Sequence, residues 1–248
     1  MGTFADGECA TNIEIAGLSG FDFVIIDDEH GCHNNPNKLE LVRTAENAGI
    51  VPIFRVPGFS FEDSIKKVLD MGAGGILVPN ISTRSEAEQA ICHSKFPPIG
   101  KRGACPYKRS NDYGAKYGLR DYYARSNEEV SVMFLIENTQ AVEEFDGIIG
   151  VDGLDAILFG RDDLSVSMGI PGEYENPALL SSIRSMIRRS REKGIPAGMV
   201  CFDYDDTMRW LADDVDFITL AMGPCYIIRS NQALIGKIRG KKSPATGK

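Results

Sequence analysis

The sequence has no apolar run that approaches the roughly 18 residues needed to cross a membrane. Its lysines and arginines are scattered and its net charge is -8, which argues against a nucleic-acid-binding surface. Neither GxGxxG nor the phosphate-binding GxxxxGKS/T pattern follows its first predicted strands, so nucleotide binding has no support. The opening segment MGTFADGECA is too polar and acidic for a signal peptide. We therefore expect a cytoplasmic protein that binds neither nucleic acid nor a membrane.

The sequence also lacks paired metal-binding cysteines. Its six cysteines are widely spread with no CxxC pair, which argues against a disulfide framework or a zinc knuckle. His30 and His33 have an HxxH spacing beside Cys32 and several acids, which raises the alternative of zinc. A zinc site would need a third histidine or a cysteine in register, so zinc is the weaker alternative.

What the sequence does have is a regular alternation of short apolar runs and amphipathic segments. The apolar runs lie at 2–4, 22–26, 51–56, 75–78, 130–137, 156–159, 197–200 and 217–220. Apolar strands alternating with helices indicate a parallel sheet that is covered on both faces. About eight such units predict a single-domain α/β fold, the (β/α)8 TIM barrel, over residues 1–240, with a flexible basic tail at 241–248.

One irregular stretch, FPPIGKRGACPYKRSNDYGAKYG at 96–118, is much longer than the other connections. Loops of that length inside a compact domain are usually functional. We therefore expect this segment to cover the open end of the barrel.

In such barrels the active site lies at the C-terminal ends of the strands, so polar residues at each strand exit are informative. Strand two ends in DDEH at 27–30, strand three carries Arg55, and strand five ends in Glu137. Strand six runs into GRDDLS, whereas strand seven ends at the apolar Val200. Each acid, taken alone, could simply cap the following helix. An arginine within an apolar run must be paired or face a cavity.

The residue types at these exits suit one kind of chemistry. Two carboxylates from neighbouring strands, without cysteine, favour a hard divalent cation such as Mg²⁺ or Mn²⁺. A 2-oxo acid could replace its waters, and the cation would act as a Lewis acid on the enolate. Arg55 would add positive charge where the enolate oxygen develops. Histidine titrates near neutrality, so His30 is the expected general base, with Asp27 or Glu29 fixing its tautomer.

Several stretches together, in their order and spacing, resemble a known family. They are FDFVIIDDEHG, IFRVPG, GAGGILVPNISTRSEAE, FPPIGKRGA, FLIENTQAV and LFGRDDLSVSMG. They are similar to the HpcH/HpaI family of metal-dependent class II aldolases, in the phosphoenolpyruvate/pyruvate-binding barrel superfamily, over nearly the whole chain. The resemblance implies an enzyme that reversibly cleaves a 4-hydroxy-2-oxo acid to pyruvate and an aldehyde.

The resemblance also implies roles for individual residues. Glu137 and Asp163 would be the metal ligands, for Mg²⁺ or Mn²⁺ and with Co²⁺ as a further option. His30 paired with Asp27 would be the acid-base dyad, and Arg55 would contact the keto or enolate oxygen. The implied substrate-binding residues are Gly160, Asp162, Asp163 and Val200.

By the same resemblance, the protein is expected to form a homo-oligomer. Family members commonly assemble as hexamers, trimers of dimers with an exchanged C-terminal helix, which implies that residues 225–238 pack on a neighbouring subunit. Asp70, in VLDMG, matches an acid that can reach the adjoining subunit's site. The expected small-molecule partners are a 2-oxo acid such as pyruvate, and an aldehyde.

Three departures from the family pattern leave the substrate open. Leu135 stands where many members have glutamine, and Asp28 where glycine is frequent. Arg161 and Asp162 replace a proline and a small residue, and the anionic Asp162 would oppose a bound carboxylate unless it turns away or pairs with Arg161. Two alternatives therefore stay open: a related pyruvyl lyase or decarboxylase with a different acceptor, and a non-catalytic barrel that binds a 2-oxo acid.

Overall fold

The structure, a computed structural model, describes residues 1–6, 10–31, 37–220 and 223–240, and within these ranges it contains eight strands and eleven α-helices. The strands are β1 Gly2–Asp6, β2 Phe23–Asp27, β3 Val51–Arg55, β4 Gly75–Val78, β5 Ser131–Ile136, β6 Ala156–Phe159, β7 Ala197–Cys201 and β8 Phe217–Leu220. The helices are α1 Ala10–Leu18, α2 Lys38–Asn47, α3 Glu62–Asp70, α4 Arg84–Ser94, α5 Leu119–Glu129, α6 Thr139–Glu143, α7 Phe145–Ile148, α8 Arg161–Ser167, α9 Pro177–Glu192, α10 Tyr204–Ala212 and α11 Gly223–Ile238. The predicted tail at 241–248, and His33 with Cys32, lie outside the described residues.

The eight strands form one closed parallel barrel. Each strand pairs with the next along the chain, and β8 pairs with β1 to close the circle. The β2–β3 register joins Phe23 to Val51 and Asp27 to Arg55. Parallel neighbours need a crossover connection, which the helices supply. This topology confirms the predicted single-domain (β/α)8 barrel.

Side chains alternate between the two faces of each strand because the strand period is two. The inward-facing cluster contains Phe4, Ile25, Ile53, Leu77, Met133, Leu135, Ala156 and Leu158, with Phe23, Val200 and Phe217 packed against it. The outward-facing residues join a larger cluster under the helices, which includes Phe54, Phe134 and Phe159. Because both faces are buried, the strands read as continuous apolar runs in the sequence.

The long segment 96–118 does not cover the open end of the barrel, so that expectation is wrong. Its 3₁₀ turn, Arg109–Gly114, is tied to the opposite end, where Arg109 pairs with Glu46 at the end of α2 and donates to the Met71 carbonyl at 2.9 Å. In the same segment Arg102 donates to Asp70 at 2.7 Å. The segment follows α4, and helices of this fold run back to the amino-terminal end of the strands, so its position follows from chain order.

Helix α11 is the least integrated part of the described fold. It has no buried residue along its sixteen-residue length. Large apolar side chains are exposed on α11 and on the neighbouring α1, namely Ile227, Ile228, Leu234, Ile235 and Ile238, with Ile15 and Leu18. Within the described ranges, no helix is long and apolar enough to span a membrane.

Candidate active site at the C-terminal ends of the strands

The inward row of four strands ends in a residue of the predicted site. The pairs are Asp27 after Ile25, Arg55 after Ile53, Glu137 after Leu135, and Gly160 after Leu158. Since strand side chains alternate, each of these positions continues the row that faces the barrel interior. Parallel strands bring their C-terminal ends to one edge, so the four residues meet at the same end of the barrel.

Asp27 and Arg55 form a two-point ion pair across β2 and β3. Arg55 Nε donates to Asp27 Oδ1 at 2.9 Å, and Arg55 Nη2 donates to Oδ2 at 2.6 Å. Burial alone would raise the pKa of Asp27, but the hydrogen bonds and charge of Arg55 hold that pKa below its usual value. Burial would lower the pKa of Arg55, but Asp27 raises it, so the guanidinium stays charged. The pair fixes the Arg55 fork beside the cavity.

The His30 ring lies near Glu29 rather than against the Asp27 carboxylate. His30 Nε2 is 3.7 Å from Glu29 Oε2, and the His30 side chain is 64% exposed. Asp27 Oδ1 accepts from the backbone N–H groups of Glu29 and His30, at 3.0 and 3.3 Å, which shapes the turn after β2. Glu29 Oε2 is also 3.3 Å from Arg55 Nη1. Burial raises the pKa of Glu29, and the charge of Arg55 opposes this.

Glu137 is a buried carboxylate whose charge the described protein compensates poorly. Its Oε1 accepts from the backbone N–H of Asn80 at 2.8 Å, and the residue is 3% exposed. Burial raises the pKa of Glu137 to about 8; the Asn80 hydrogen bond opposes the shift, and the like charges of Glu29 and Asp163 add to it. A carboxylate held in this way is stabilised by a cation.

A cavity of about 290 Å³ opens at this end of the barrel. It is lined by Phe4, Arg55, Leu135, Glu137, Gly160, Arg161, Asp162, Asp163, Val200, Phe202, Cys225 and Arg229. The lining includes both residues predicted to bind the metal and all four predicted to bind substrate. Asp27 is buried against Arg55, and His30 is exposed on the turn after β2.

The donor set beside the cavity fits a hard divalent cation. Glu137 and Asp163 both line the cavity, and a Cβ at Gly160 would lie 3.1 Å from Glu137 Oε2, so glycine keeps that oxygen accessible. Among the described residues, no three His, Cys, Asp or Glu side chains converge to enclose a metal. Mg²⁺ is commonly held by one or two carboxylates and retains several waters, so two protein ligands suffice.

Arg161 is buried in a polar and aromatic network. Its Nη1 donates to Asp206 Oδ1 at 3.0 Å and its Nη2 to the Val200 carbonyl at 3.1 Å, while Nη2 also pairs with Asp206 Oδ2. Asp206 accepts as well from the Phe202 N–H at 3.0 Å and from Trp210 Nε1 at 3.1 Å. The rings around the guanidinium belong to Phe202, Trp210 and Tyr174, with centroids 4.6, 5.5 and 5.7 Å away. This network joins the start of α8 to the start of α10.

Asp162 does not pair with Arg161. Its Oδ1 accepts instead from the Tyr174 hydroxyl, and this hydrogen bond, with partial burial, raises the pKa of Tyr174 to about 12. Asp162 also lines the cavity, so this carboxylate remains in the wall of the candidate site.

Asp28 lies on the other side of β2 from Asp27. Its carboxylate accepts from Lys38 Nζ at 2.6 Å and from Ser64 Oγ at 3.4 Å. Lys38 begins α2 and Ser64 lies in α3, so this acid fastens two helices to the barrel. Asp28, which stands where glycine is frequent in the family, therefore has a structural role.

Two residues near the site were missed from the sequence. Asn80 follows β4 with φ of 54°, and it contacts both Glu137 through its N–H and Glu29 through Nδ2 at 3.2 Å. Asn80 could have been found from the sequence, because it is a polar residue directly after a strand and asparagine tolerates a positive φ. Arg229 reaches the cavity from α11 and donates to the Phe202 carbonyl at 2.7 Å. Nothing in its local sequence indicated that position.

Comparisons with known proteins agree with this architecture. The family described as HpcH/HpaI aldolase/citrate lyase matches residues 1–228. The 5-keto-4-deoxy-D-glucarate aldolase of Shigella dysenteriae serotype 1 (strain Sd197) is 31% identical over 207 residues, which cover 84% of this chain and 79% of that protein. The corresponding aldolase of Escherichia coli O139:H28 (strain E24377A / ETEC) is 30% identical over the same shares of the two chains.

Solved structures give the same result. The citrate synthase SbnG is 32% identical, with a TM-score of 0.87 over 96% of this chain and 92% of that one. The HpcH/HpaI aldolase from Desulfitobacterium hafniense DCB-2 has a TM-score of 0.89 at 24% identity, over 97% and 93% of the two chains, and at that identity it supports the fold alone. The chain therefore belongs to the HpcH/HpaI aldolase/citrate lyase family and is a carbon–carbon lyase.

Proposed function

We propose that the protein is a divalent-metal-dependent aldolase that reversibly cleaves a 4-hydroxy-2-oxo acid to pyruvate and an aldehyde. The observation that carries this proposal is the convergence of Glu137, Asp163 and Arg55 on one cavity at the C-terminal end of the barrel. Acids and a fixed guanidinium around a small cavity suit a substrate that carries a carboxylate and a keto oxygen.

Glu137 and Asp163 are the residues that would hold the cation. Both offer only oxygen, which favours Mg²⁺ or Mn²⁺ and allows Co²⁺. A bound cation would supply the Lewis acid that stabilises an enolate. It would also compensate the charge of Glu137, whose pKa burial raises to about 8.

The protein's own groups have separate tasks in this proposal. Arg55, held by Asp27, directs positive charge at the keto oxygen where negative charge develops. The backbone amides that start α8, around Gly160 and Asp163, bind the substrate carboxylate, as helix N-termini commonly do. Val200 forms part of the cavity wall.

His30 is proposed to take the proton from the C4 hydroxyl. Its ring lies on the turn after β2, with Glu29 Oε2 3.7 Å from Nε2. Asp27 contributes indirectly, because its carboxylate accepts from the His30 backbone N–H at 3.3 Å and so holds the turn in place.

The natural substrate is best sought first among sugar-derived oxo diacids. The 31% identical relative is named for 5-keto-4-deoxy-D-glucarate, and we take that compound as the first candidate. A second candidate is a related carbon–carbon reaction with another acceptor, such as that of the 32% identical citrate synthase SbnG. The observation that favours it is Leu135, which gives the cavity an apolar wall where many members carry glutamine.

A coupled assay tests the proposal. Pyruvate release from 5-keto-4-deoxy-D-glucarate and a panel of other 4-hydroxy-2-oxo acids is followed with lactate dehydrogenase. We expect activity that EDTA abolishes and Mn²⁺ or Mg²⁺ restores. Failure to release metal-dependent pyruvate from any compound would overturn the aldolase proposal. Exchange of deuterium into the pyruvate methyl group without cleavage would then favour the second candidate.

The protein is further proposed to be a homo-oligomer, a hexamer built as a trimer of dimers. The exposed apolar side chains of α11 support this, because such a face on a helix without buried residues is suited to pack on a second copy. Light scattering should give the mass of the assembly, and Leu234→Glu with Ile238→Glu should lower it. A monomeric parent protein would refute the proposal.

A further inference from the structure

The cavity contains a cationic group that the proposed aldol chemistry does not use. Arg229 lies in α11 and lines the cavity together with Cys225, one helical turn earlier. Its Nη1 donates to the Phe202 carbonyl at 2.7 Å, which positions the side chain near the exit of β7. An arginine has five N–H donors, so most remain for a ligand.

The other charged groups that line the cavity are already engaged. Arg55 pairs with Asp27, and the buried Arg161 pairs with Asp206. Asp162 accepts from the Tyr174 hydroxyl. Glu137 and Asp163 are the proposed metal ligands. Among the described residues, Arg229 makes no ion pair with a carboxylate, so it is the lining cation whose charge stays uncompensated within those ranges.

Part of the cavity lining is apolar. Phe4, Leu135, Val200 and Phe202 line the cavity along with the acids and Arg229. Its volume of about 290 Å³ is at the lower end of the range for small-molecule sites. A ligand that fits this lining has a 2-oxo acid group for Glu137 and Asp163 and a second anionic group for Arg229.

We propose that Arg229 forms a second anion subsite, which selects 2-oxo acids that carry a carboxylate at the end remote from the oxo group. This inference rests on the proposed function, since that function places the 2-oxo acid end at Glu137 and Asp163. Arginine suits the task because its planar fork matches both oxygens of a carboxylate. Arg229 is thus a specificity residue that contacts substrate away from the reacting atoms.

The test is a binding measurement that does not depend on turnover. Isothermal titration in the presence of Mn²⁺ compares the diacids 2-oxoglutarate and 2-oxoadipate with the monoacids 2-oxopentanoate and 2-oxohexanoate, which lack the remote carboxylate. In the parent protein we expect at least one diacid to bind about 10-fold more tightly than its counterpart, because hydrogen bonds to charged groups are stronger than neutral ones. Arg229→Gln should remove this preference and leave the affinity for the monoacids unchanged.

Two further variants sharpen the result. Arg229→Lys keeps the charge without the fork and should retain part of the preference. Arg188→Gln, on the exposed face of α9, makes the same change of residue type outside the cavity and should have no effect. Equal binding of diacids and monoacids in the parent protein would overturn the role of Arg229 and leave the proposed function standing. If none of the four acids binds with Mn²⁺, the proposed 2-oxo acid site fails, and the subsite fails with it.

Discussion

Replacing Glu137 by glutamine should stabilise the metal-free protein at alkaline pH. Glu137 is 3% exposed, and burial raises its pKa to about 8. Glutamine has nearly the same shape, and its oxygen can still accept from the Asn80 N–H, which lies 2.8 Å from Glu137 Oε1. The variant therefore removes the buried charge and keeps the hydrogen bond.

The size and sign of the effect follow from the two pKa values. The folded pKa of about 8 exceeds the unfolded value of 4.5, so the folded protein binds more protons between those pH values. Its free energy of unfolding must then fall as pH rises from about 5 to about 8, by up to about 5 kcal/mol. Glu137→Gln has no ionisable group at this position and does not lose this stability. Its free energy of unfolding should therefore exceed that of the parent protein by little at pH 5 and by most at pH 8.

Urea denaturation in EDTA at pH 5, 6.5 and 8 measures the difference. Glu143→Gln, at the exposed end of α6, controls for the loss of one carboxylate. With saturating Mn²⁺ at pH 8 the parent protein should be the more stable of the two, because the cation binds the native Glu137 carboxylate and stabilises the folded state. Parallel pH profiles of the parent protein and Glu137→Gln in EDTA would refute the reasoning, because they would mean that Glu137 is not held as an uncompensated buried carboxylate.

Three other substitutions test the neighbouring groups. Asp206→Ala leaves the Arg161 guanidinium buried without its carboxylate and should lower the free energy of unfolding by about 3–5 kcal/mol in urea titrations; a loss below about 1 kcal/mol would contradict a buried pair. Arg55→Lys cannot reproduce the two-point contact with Asp27 and should lower kcat/KM for cleavage about 10- to 100-fold at unchanged circular dichroism; full activity would exclude a role for the fork. His30→Ala should lower kcat by about 100-fold or more while oxalate still binds with Mn²⁺ in calorimetry; undiminished turnover would exclude His30 as the base.

The positions that sequence predicted best are those fixed by the strand period. Asp27, Arg55 and Glu137 each continue an inward row of apolar residues, so predicting that they meet at one end of the barrel, with Arg55 and Glu137 lining the cavity, required only the correct strands. The same period explains why Leu135 lines the cavity and why Asp28 contacts Lys38 and Ser64 instead. Such positions depend on the local geometry of a strand, which can be recognised from the pattern of residues in the sequence.

The partners of these side chains were harder to predict because they depend on packing between distant segments. Arg161 finds Asp206 on another helix, and Arg229 approaches from α11. The resemblance paired His30 with Asp27, whereas the Asp27 carboxylate contacts Arg55 and the backbone. The length of the segment 96–118 does not indicate which end of the barrel it covers; its position is set by the end of α4, from which it starts.

The neighbouring acids Asp27 and Asp28 contact opposite sides of the barrel wall. The Asp27 carboxylate pairs with Arg55, which lines the candidate active-site cavity, and the Asp28 carboxylate accepts from Lys38 and Ser64 in the helical layer. Deleting or inserting a single residue in β2 would exchange the two directions. Substitutions at every second residue of the strand ends can therefore change the cavity while the helix contacts are kept, whereas a change in strand length would disrupt the cavity and the helix contacts together.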